Sequence, residues 1–113
     1  MKEYKAIIVE GKSDKIQLKQ ILDEEVDIFC THGTASDEQL EGLLDPALYH
    51  NVFILTDADF PGERLRSRLR EYYPNAVHLF TRRMYREVAT TPLEELARLM
   101  AKAHFQVAED YLI

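Results

Sequence analysis

Apolar residues in this chain fall into short blocks of two kinds, unbroken runs and spaced stripes. Residues 6–9 (Ala-Ile-Ile-Val) form an unbroken, largely β-branched run that ends at Glu10-Gly11. A run without polar alternation fits a strand covered on both faces. Ile16, Leu18, Ile21 and Leu22 then recur at mixed three- and four-residue steps, behind Ser13 or Asp14 as cap, until the acidic Asp23-Glu24-Glu25. This predicts a first helix. Residues 26–31 read as a second strand, His32-Gly33-Thr34 as a loop, and Asp37 as the cap of a short helix carrying Leu40, Leu43 and Leu44 up to Asp45-Pro46. The clearest strand is 51–56 (Asn-Val-Phe-Ile-Leu-Thr), followed by Asp57-Ala58-Asp59-Phe60-Pro61-Gly62-Glu63 and a helix with Leu65, Leu69 and Tyr72 inward. Pro61 suits a first helical turn, where its missing N–H has no partner to lose. Pro74-Asn75 ends that helix, 76–80 reads as a fourth strand, and 92–104 or beyond as a final amphipathic helix. Strands alternating with helices predict an α/β fold with a four-stranded parallel sheet covered on both faces. No repeat or Gly/Ser linker interrupts it, so residues 1–113 read as one domain.

In open parallel sheets, function collects beyond the carboxyl ends of the strands, where strand order reverses. Glu10 follows the first strand, and Asp57 and Asp59 follow the third. In the order 2-1-3-4 those strands are neighbours about 4.8 Å apart, and the three carboxylates converge on one crevice. Such a gathering is costly unless a cation or a raised pKa relieves it. Hard oxygen donors with no His or Cys nearby in sequence favour magnesium over zinc. Magnesium in such a place bridges to phosphate oxygens, which points to phosphoryl transfer or nucleotide binding. Lys12 in the following turn is a candidate phosphate contact, as is the amide of Gly62 at a helix N-terminus. Each residue also has a plain reading: Asp59 as a helix-entry residue, Glu10-Gly11 as a turn, Lys12 as a solvated lysine. The combination at two strand ends, each with a glycine and a helix start behind it, carries the functional reading.

Charge changes the picture by its distribution. The chain has 14 Lys and Arg against 20 Asp and Glu, a net charge of -6, which argues against non-specific coating of nucleic acid. Yet half of those 14 cations lie between residues 64 and 86, and all are arginines: Arg64, Arg66, Arg68, Arg70, Arg82, Arg83 and Arg86. Arginine holds phosphate bidentately, so Arg64, Arg66, Arg82, Arg83 and Arg86 join the candidate contacts. A solvated helix face paired with the acidic block is the competing reading. Tyr85, between Arg83 and Arg86, is the one aromatic interleaved with positive charge. His32 falls on the carboxylate edge, whereas His50, His78 and His104 show no ligand spacing and read as structural. A single cysteine, Cys30, reads as a small buried residue of a reducing compartment, and no leader or membrane-spanning run is visible. The cytoplasm is the expected location.

Two segments, Val9-Glu10-Gly11-Lys12-Ser13-Asp14 and Leu55-Thr56-Asp57-Ala58-Asp59-Phe60-Pro61-Gly62-Glu63, resemble the two signature motifs of the Toprim (topoisomerase/primase) family. The second, with Arg64-Leu65-Arg66 and the His32-Gly33-Thr34-Ala35 loop, is most similar to the ribonuclease that matures 5S ribosomal RNA. The resemblance implies a Rossmann-like Toprim fold in which Glu10 is a general acid/base or metal ligand and Asp57 and Asp59 bind magnesium. It implies Gly11 and Gly62 as tight-turn residues and a nucleic-acid partner, RNA ahead of DNA, cut at a phosphodiester. Relatives often have Pro where this chain has Ala58, and the maturase carries a further carboxy-terminal region. A binding module that grips a nucleotide or nucleic acid without cleaving it, with a protein partner, is therefore the second expectation. Receiver-type phosphoacceptors and haloacid-dehalogenase-type phosphatases rank lower. The former want paired acids after the first strand, and the latter want D-x-D there.

Overall fold

The computed structural model describes residues 5–33 and 35–111, the Arg83 side chain excepted. Four strands, β1 (Lys5–Val9), β2 (Val26–Cys30), β3 (Val52–Leu55) and β4 (Val77–Leu79), alternate with four helices. These are α1 (Lys12–Ile21), α2 (Asp37–Glu41), α3 (Phe60–Tyr72) and α4 (Leu93–Lys102). The sheet is all parallel, as the alternation of runs and helices predicted, and its order is β2-β1-β3-β4, the one under which the acids at the ends of the first and third strands become neighbours.

Alternation along each strand divides the core. Ile7, Val9, Ile28, Phe53, Leu55 and Leu79 face one way, onto Leu18 and Ile21 of α1 and Leu96 and Met100 of α4. Ala6, Ile8, Val52 and Ile54 face the other, onto Leu40 of α2 and Leu65 and Leu69 of α3. β1 and β3 have no polar face because both their faces are covered, which explains their unbroken apolar runs. Phe105 and Val107 close the first side, and Leu22 pairs with Val107 in an isolated antiparallel bridge.

Several boundaries differ from the sequence expectation for local reasons. Gly11, rather than Ser13 or Asp14, caps α1, and Asp14 in the first turn accepts a hydrogen bond from the Gly11 amide at 3.0 Å. Ser36, rather than Asp37, caps α2, exchanging hydrogen bonds with Gln39. That helix stops at Glu41, and Leu43 and Leu44 pack from the segment beyond it. Of the pair Tyr72-Tyr73 it is Tyr73, one residue past α3, that is buried, with Tyr72 only half-buried. Its hydroxyl donates to the Leu40 carbonyl at the end of α2. Short 3-10 turns at Pro46–Leu48, Arg83–Tyr85, Val88–Thr90 and Glu109–Tyr111 carry no hydrophobic period long enough to predict. Among the described residues, no helix is long and apolar enough to cross a membrane. Thr34 of the predicted loop lies outside the described residues.

Candidate functional site

Register decides which residues meet. Val9 pairs with Cys30 and Leu55 with Leu79, so all four strands present their carboxyl ends along one edge. The residues that follow, Glu10, Thr31, Thr56-Asp57 and Phe80, form its rim. Glu10 reaches across to β3, and its Oε2 accepts a hydrogen bond from the Asp57 amide at 2.7 Å. Asp57 Oδ1 accepts from the Val88 amide at 2.8 Å, and Asp59 Oδ1 caps α3 by accepting from the Gly62 amide at 2.7 Å. Gly62 is obligatory by contact, because a Cβ there would lie 2.1 Å from the Asp57 carbonyl oxygen. The second predicted motif is thus a turn folded so tightly that a helix start touches the strand end it follows.

Electrostatics follow from that crowding. Partial burial pushes the Glu10 carboxyl up to about 7 from an ordinary 4.5, the Asp57 amide bond opposes this, and the charges of Asp57 and Asp59 add to it. Asp14, which the sequence reading treated only as a possible cap, belongs to the same group. It is buried, and burial together with the Asp57 charge raises its pKa. Its signal was an acid four residues after Glu10, on the inner face of the first helical turn. The segment after β4 closes the site: the Arg86 carbonyl accepts from the Ala58 amide, and Arg86 holds a φ of 53°. Nothing in the hydrophobic pattern announced that closure.

The donor set is all oxygen, from Glu10, Asp57 and Asp59, which suits a hard divalent cation. Each of Glu10, Asp57 and Asp59 spends one oxygen on a backbone amide and has a second to offer. Among the described residues, no group of three His, Cys, Asp or Glu side chains is arranged to chelate a metal. An ion held there would therefore take one or two of these carboxylates and complete its shell from other donors.

The predicted phosphate contact at the Gly62 amide is corrected, since that amide is taken by Asp59 Oδ1 as the cap of α3, and the predicted basic contacts separate into three groups. Lys12 is exposed at the start of α1, and Arg64 lines a cleft with Glu10, Gly33 and Arg68 beside the crevice. Arg82 and Arg86 are exposed on the segment after β4, and the side chain of Arg83 lies outside the described residues. Arg66 is a correction. Its guanidinium is buried under the sheet edge, 2% exposed, donating to the carbonyls of Leu79 at 2.7 Å and Ile54 at 3.4 Å. It is committed to joining α3 to β3 and β4, and the helical period that brought Leu65 and Leu69 inward brought it too. Arg68 is likewise engaged, with the Ala35 carbonyl at 2.7 Å and Asp37 at 3.0 Å. The His32 amide donates to the Glu10 carbonyl at 2.8 Å, with φ 55° and an exposed side chain. His78 Nδ1 meets Arg66 at 3.0 Å, and the His104 carbonyl accepts from Lys5.

Known proteins are similar to this chain in sequence and in fold. The family model for the Toprim domain matches residues 5–87. A Bacillus subtilis (strain 168) protein named only as uncharacterized, YusF, is 42% identical over 96% of this chain and 74% of its own. Ribonuclease M5 of Bacillus subtilis is 37% identical over 71% of this chain but 42% of its own length. Ribonuclease M5 of Streptococcus pneumoniae is 36% identical over 68% of the chain and 41% of its own. The chain thus spans less than half of these ribonucleases. The solved structure of a small TOPRIM domain protein from Bacillus stearothermophilus superposes with a TM-score of 0.91 at 44% identity, covering 100% of this chain and 96% of that one. With the signature residues gathered at one sheet edge and the family model matched over residues 5–87, this chain belongs to the Toprim family.

Proposed function

We propose that the protein is a metal-dependent phosphodiesterase acting on nucleic acid, RNA ahead of DNA, with Glu10 as the proton-transferring group and Asp57 and Asp59 as ligands for magnesium. The observation that carries the reading is the 2.7 Å hydrogen bond from the Asp57 amide to Glu10 Oε2, which sets acids from two distant segments side by side. A carboxyl near 7 is half ionised at neutral pH, so Glu10 can both take and return a proton there. A bound magnesium would offset the charge that develops on the phosphoryl oxygens. Arg64 and Lys12 flank the crevice as phosphate contacts, and the similarity to ribonuclease M5 supports RNA as the substrate class. The reading also takes residues 1–113 as one domain working in the cytoplasm.

Cleavage of structured RNA and single-stranded DNA, followed with magnesium and with chelator, tests this. Activity should need the metal and fall by more than a hundredfold, roughly 3 kcal/mol, in Asp57→Asn and Glu10→Gln. Parental rates in both variants would reject it. A second reading, a binding module that holds phosphate without cleaving and works with a protein partner, is favoured by the cleft in which Arg64 stands beside Glu10 and Gly33, a place for phosphate that needs no reacting group. It requires magnesium-dependent binding that Asp57→Asn abolishes, with no product at any pH.

A further inference from the structure

Beside the carboxylate crevice lie two adjoining clefts that Phe80 and Thr81 both wall. The first, about 470 Å³, is bounded by Phe60 and Phe80 and contains Asp59 and Glu63. The second, about 200 Å³, continues past Thr81 to Arg82, Tyr85, Arg98 and Lys102. One cleft is therefore aromatic and acidic, and the next is basic.

The aromatic rings are held in an unusual way. Phe80 stands immediately beyond β4 with 58% of its surface in solvent, and the buried Arg66 guanidinium lies 4.2 Å from its ring centroid. Because Arg66 is itself anchored to the Leu79 carbonyl, the ring is supported from behind by a group that cannot move away. Phe60, 74% exposed, has the Arg64 guanidinium 5.8 Å from its ring. Thr81 Oγ1, between the clefts, is buried and has no hydrogen-bond partner among the described residues. Exposed rings backed by cations contribute little to a core, whereas a ring already ordered pays less to receive a flat ligand.

We propose that these two clefts form one track for an unpaired stretch of nucleic acid. Bases stack on Phe80 and Phe60 next to Asp59, and phosphates lie on Arg82, Arg98 and Lys102. The proposal rests on the nucleic-acid reading above and adds the strandedness of the ligand. A base face is uncharged and tolerates the acidic cleft, while the phosphate that follows it needs the basic one. Arg98 already pairs with Glu95 at 3.1 Å, but Arg82 and Lys102 leave the second cleft with net positive charge. Bases inside a duplex are stacked on their neighbours and cannot offer a face to Phe80, so single strands are selected. This end of α4, far from both motifs in sequence, enters the site only through the fold.

The test measures binding of the full chain to a labelled RNA of about a dozen nucleotides, single-stranded or annealed to its complement, in chelator so that no cleavage competes. The single strand should bind about tenfold tighter than the duplex, and Phe80→Leu should lose about tenfold for the single strand only, with Phe80→Trp retaining it. Arg82→Gln and Lys102→Gln should each lower the salt slope by about 0.7, and Lys19→Gln on the outer face of α1 should not. Unchanged single-strand affinity in Phe80→Leu, with an unchanged melting curve, overturns the track. So does duplex binding equal to that of the single strand, or a mononucleotide such as AMP competing as well as the oligonucleotide. If the track behaves as described but magnesium yields no product, the cleavage reading falls and the track stands. If Phe80→Leu cleaves with parental KM and affinity, the track falls and the cleavage reading stands.

Discussion

Gly62 shows how little freedom a single position in this site has. Any side chain there meets the Asp57 carbonyl at 2.1 Å, so Gly62→Ala must push the start of α3 away from the end of β3. Backbone against Cβ cannot be relieved by a rotamer change, and we expect Gly62→Ala to lose about 2–4 kcal/mol in urea denaturation, with the Asp59 cap broken. A loss under about 0.5 kcal/mol would mean that the turn is softer than its contacts indicate. Glu10 makes the opposite case, a residue whose native state is costly. Its folded pKa of about 7 lies above the ordinary 4.5, so between those values the folded protein holds a proton that the unfolded chain has released. Its contribution to stability is therefore fully present below about pH 4.5 and is lost as pH rises through 7. Glu10→Gln keeps an acceptor for the Asp57 amide and removes the charge. In metal-free buffer its melting temperature should match the parent near pH 4.5 and exceed it by about 5 °C at pH 8, allowing for solvent screening of a half-exposed group. A gap that is equal at both pH values would refute this assignment. The places of both residues, just beyond β1 and at the start of α3, were legible in the sequence. Asp14 was not, because an acid in a first helical turn is as readily a cap as a member of a site.

Elements were more legible than their ends. β1 and β3 announced themselves by unbroken apolar runs, since a strand covered on both faces has no polar partner to alternate with. Caps were misread by one to three residues, because Ser36 precedes Asp37 and both can cap, and because Gly11 takes the extended backbone on which Asp14 closes. Arg66 was the larger error. A charged residue at an inward helical position looks like a surface arginine until the sheet edge that receives it is known. Its guanidinium satisfies carbonyls of β3 and β4 and carries Phe80, so α3 is tied to the sheet by one side chain as well as by Leu65 and Leu69. Arg66→Met keeps length and apolar bulk but leaves those carbonyls unpaired, and should cost about 2–4 kcal/mol. Arg66→Lys should recover only part, because an ammonium cannot reproduce the planar fork. Equal stability of parent and Arg66→Met in chemical denaturation would show that the tether contributes nothing.

At the scale of the whole molecule, sheet order and parallel register convert separated segments of sequence into one rim. The order β2-β1-β3-β4 puts the first and third strands together; the hydrophobic runs with their crossover helices announced a parallel sheet, and the order itself came with the resemblance to the Toprim family. They could not anticipate that the segment after β4 returns to donate the Val88 amide to Asp57, because that contact depends on chain direction beyond a strand and not on any period. The same topology concentrates negative charge in a chain that is already at -6. A divalent ion can act on that charge in two places, specifically in the crevice or diffusely over the stretch between residues 20 and 63, which contains no Lys or Arg. Melting curves separate them. With a dissociation constant near 1 mM, 10 mM magnesium stabilises the folded state by about 1.4 kcal/mol, a rise of about 5 °C. Asp57→Asn retains the acceptor for Val88 and so should fold normally, yet it removes a charged ligand, and its melting temperature should hardly respond to the ion. An equal rise in parent and variant, also produced by matched ionic strength of sodium chloride, would assign the effect to screening of the acidic surface. It would thereby remove the crevice as the ion's place of binding.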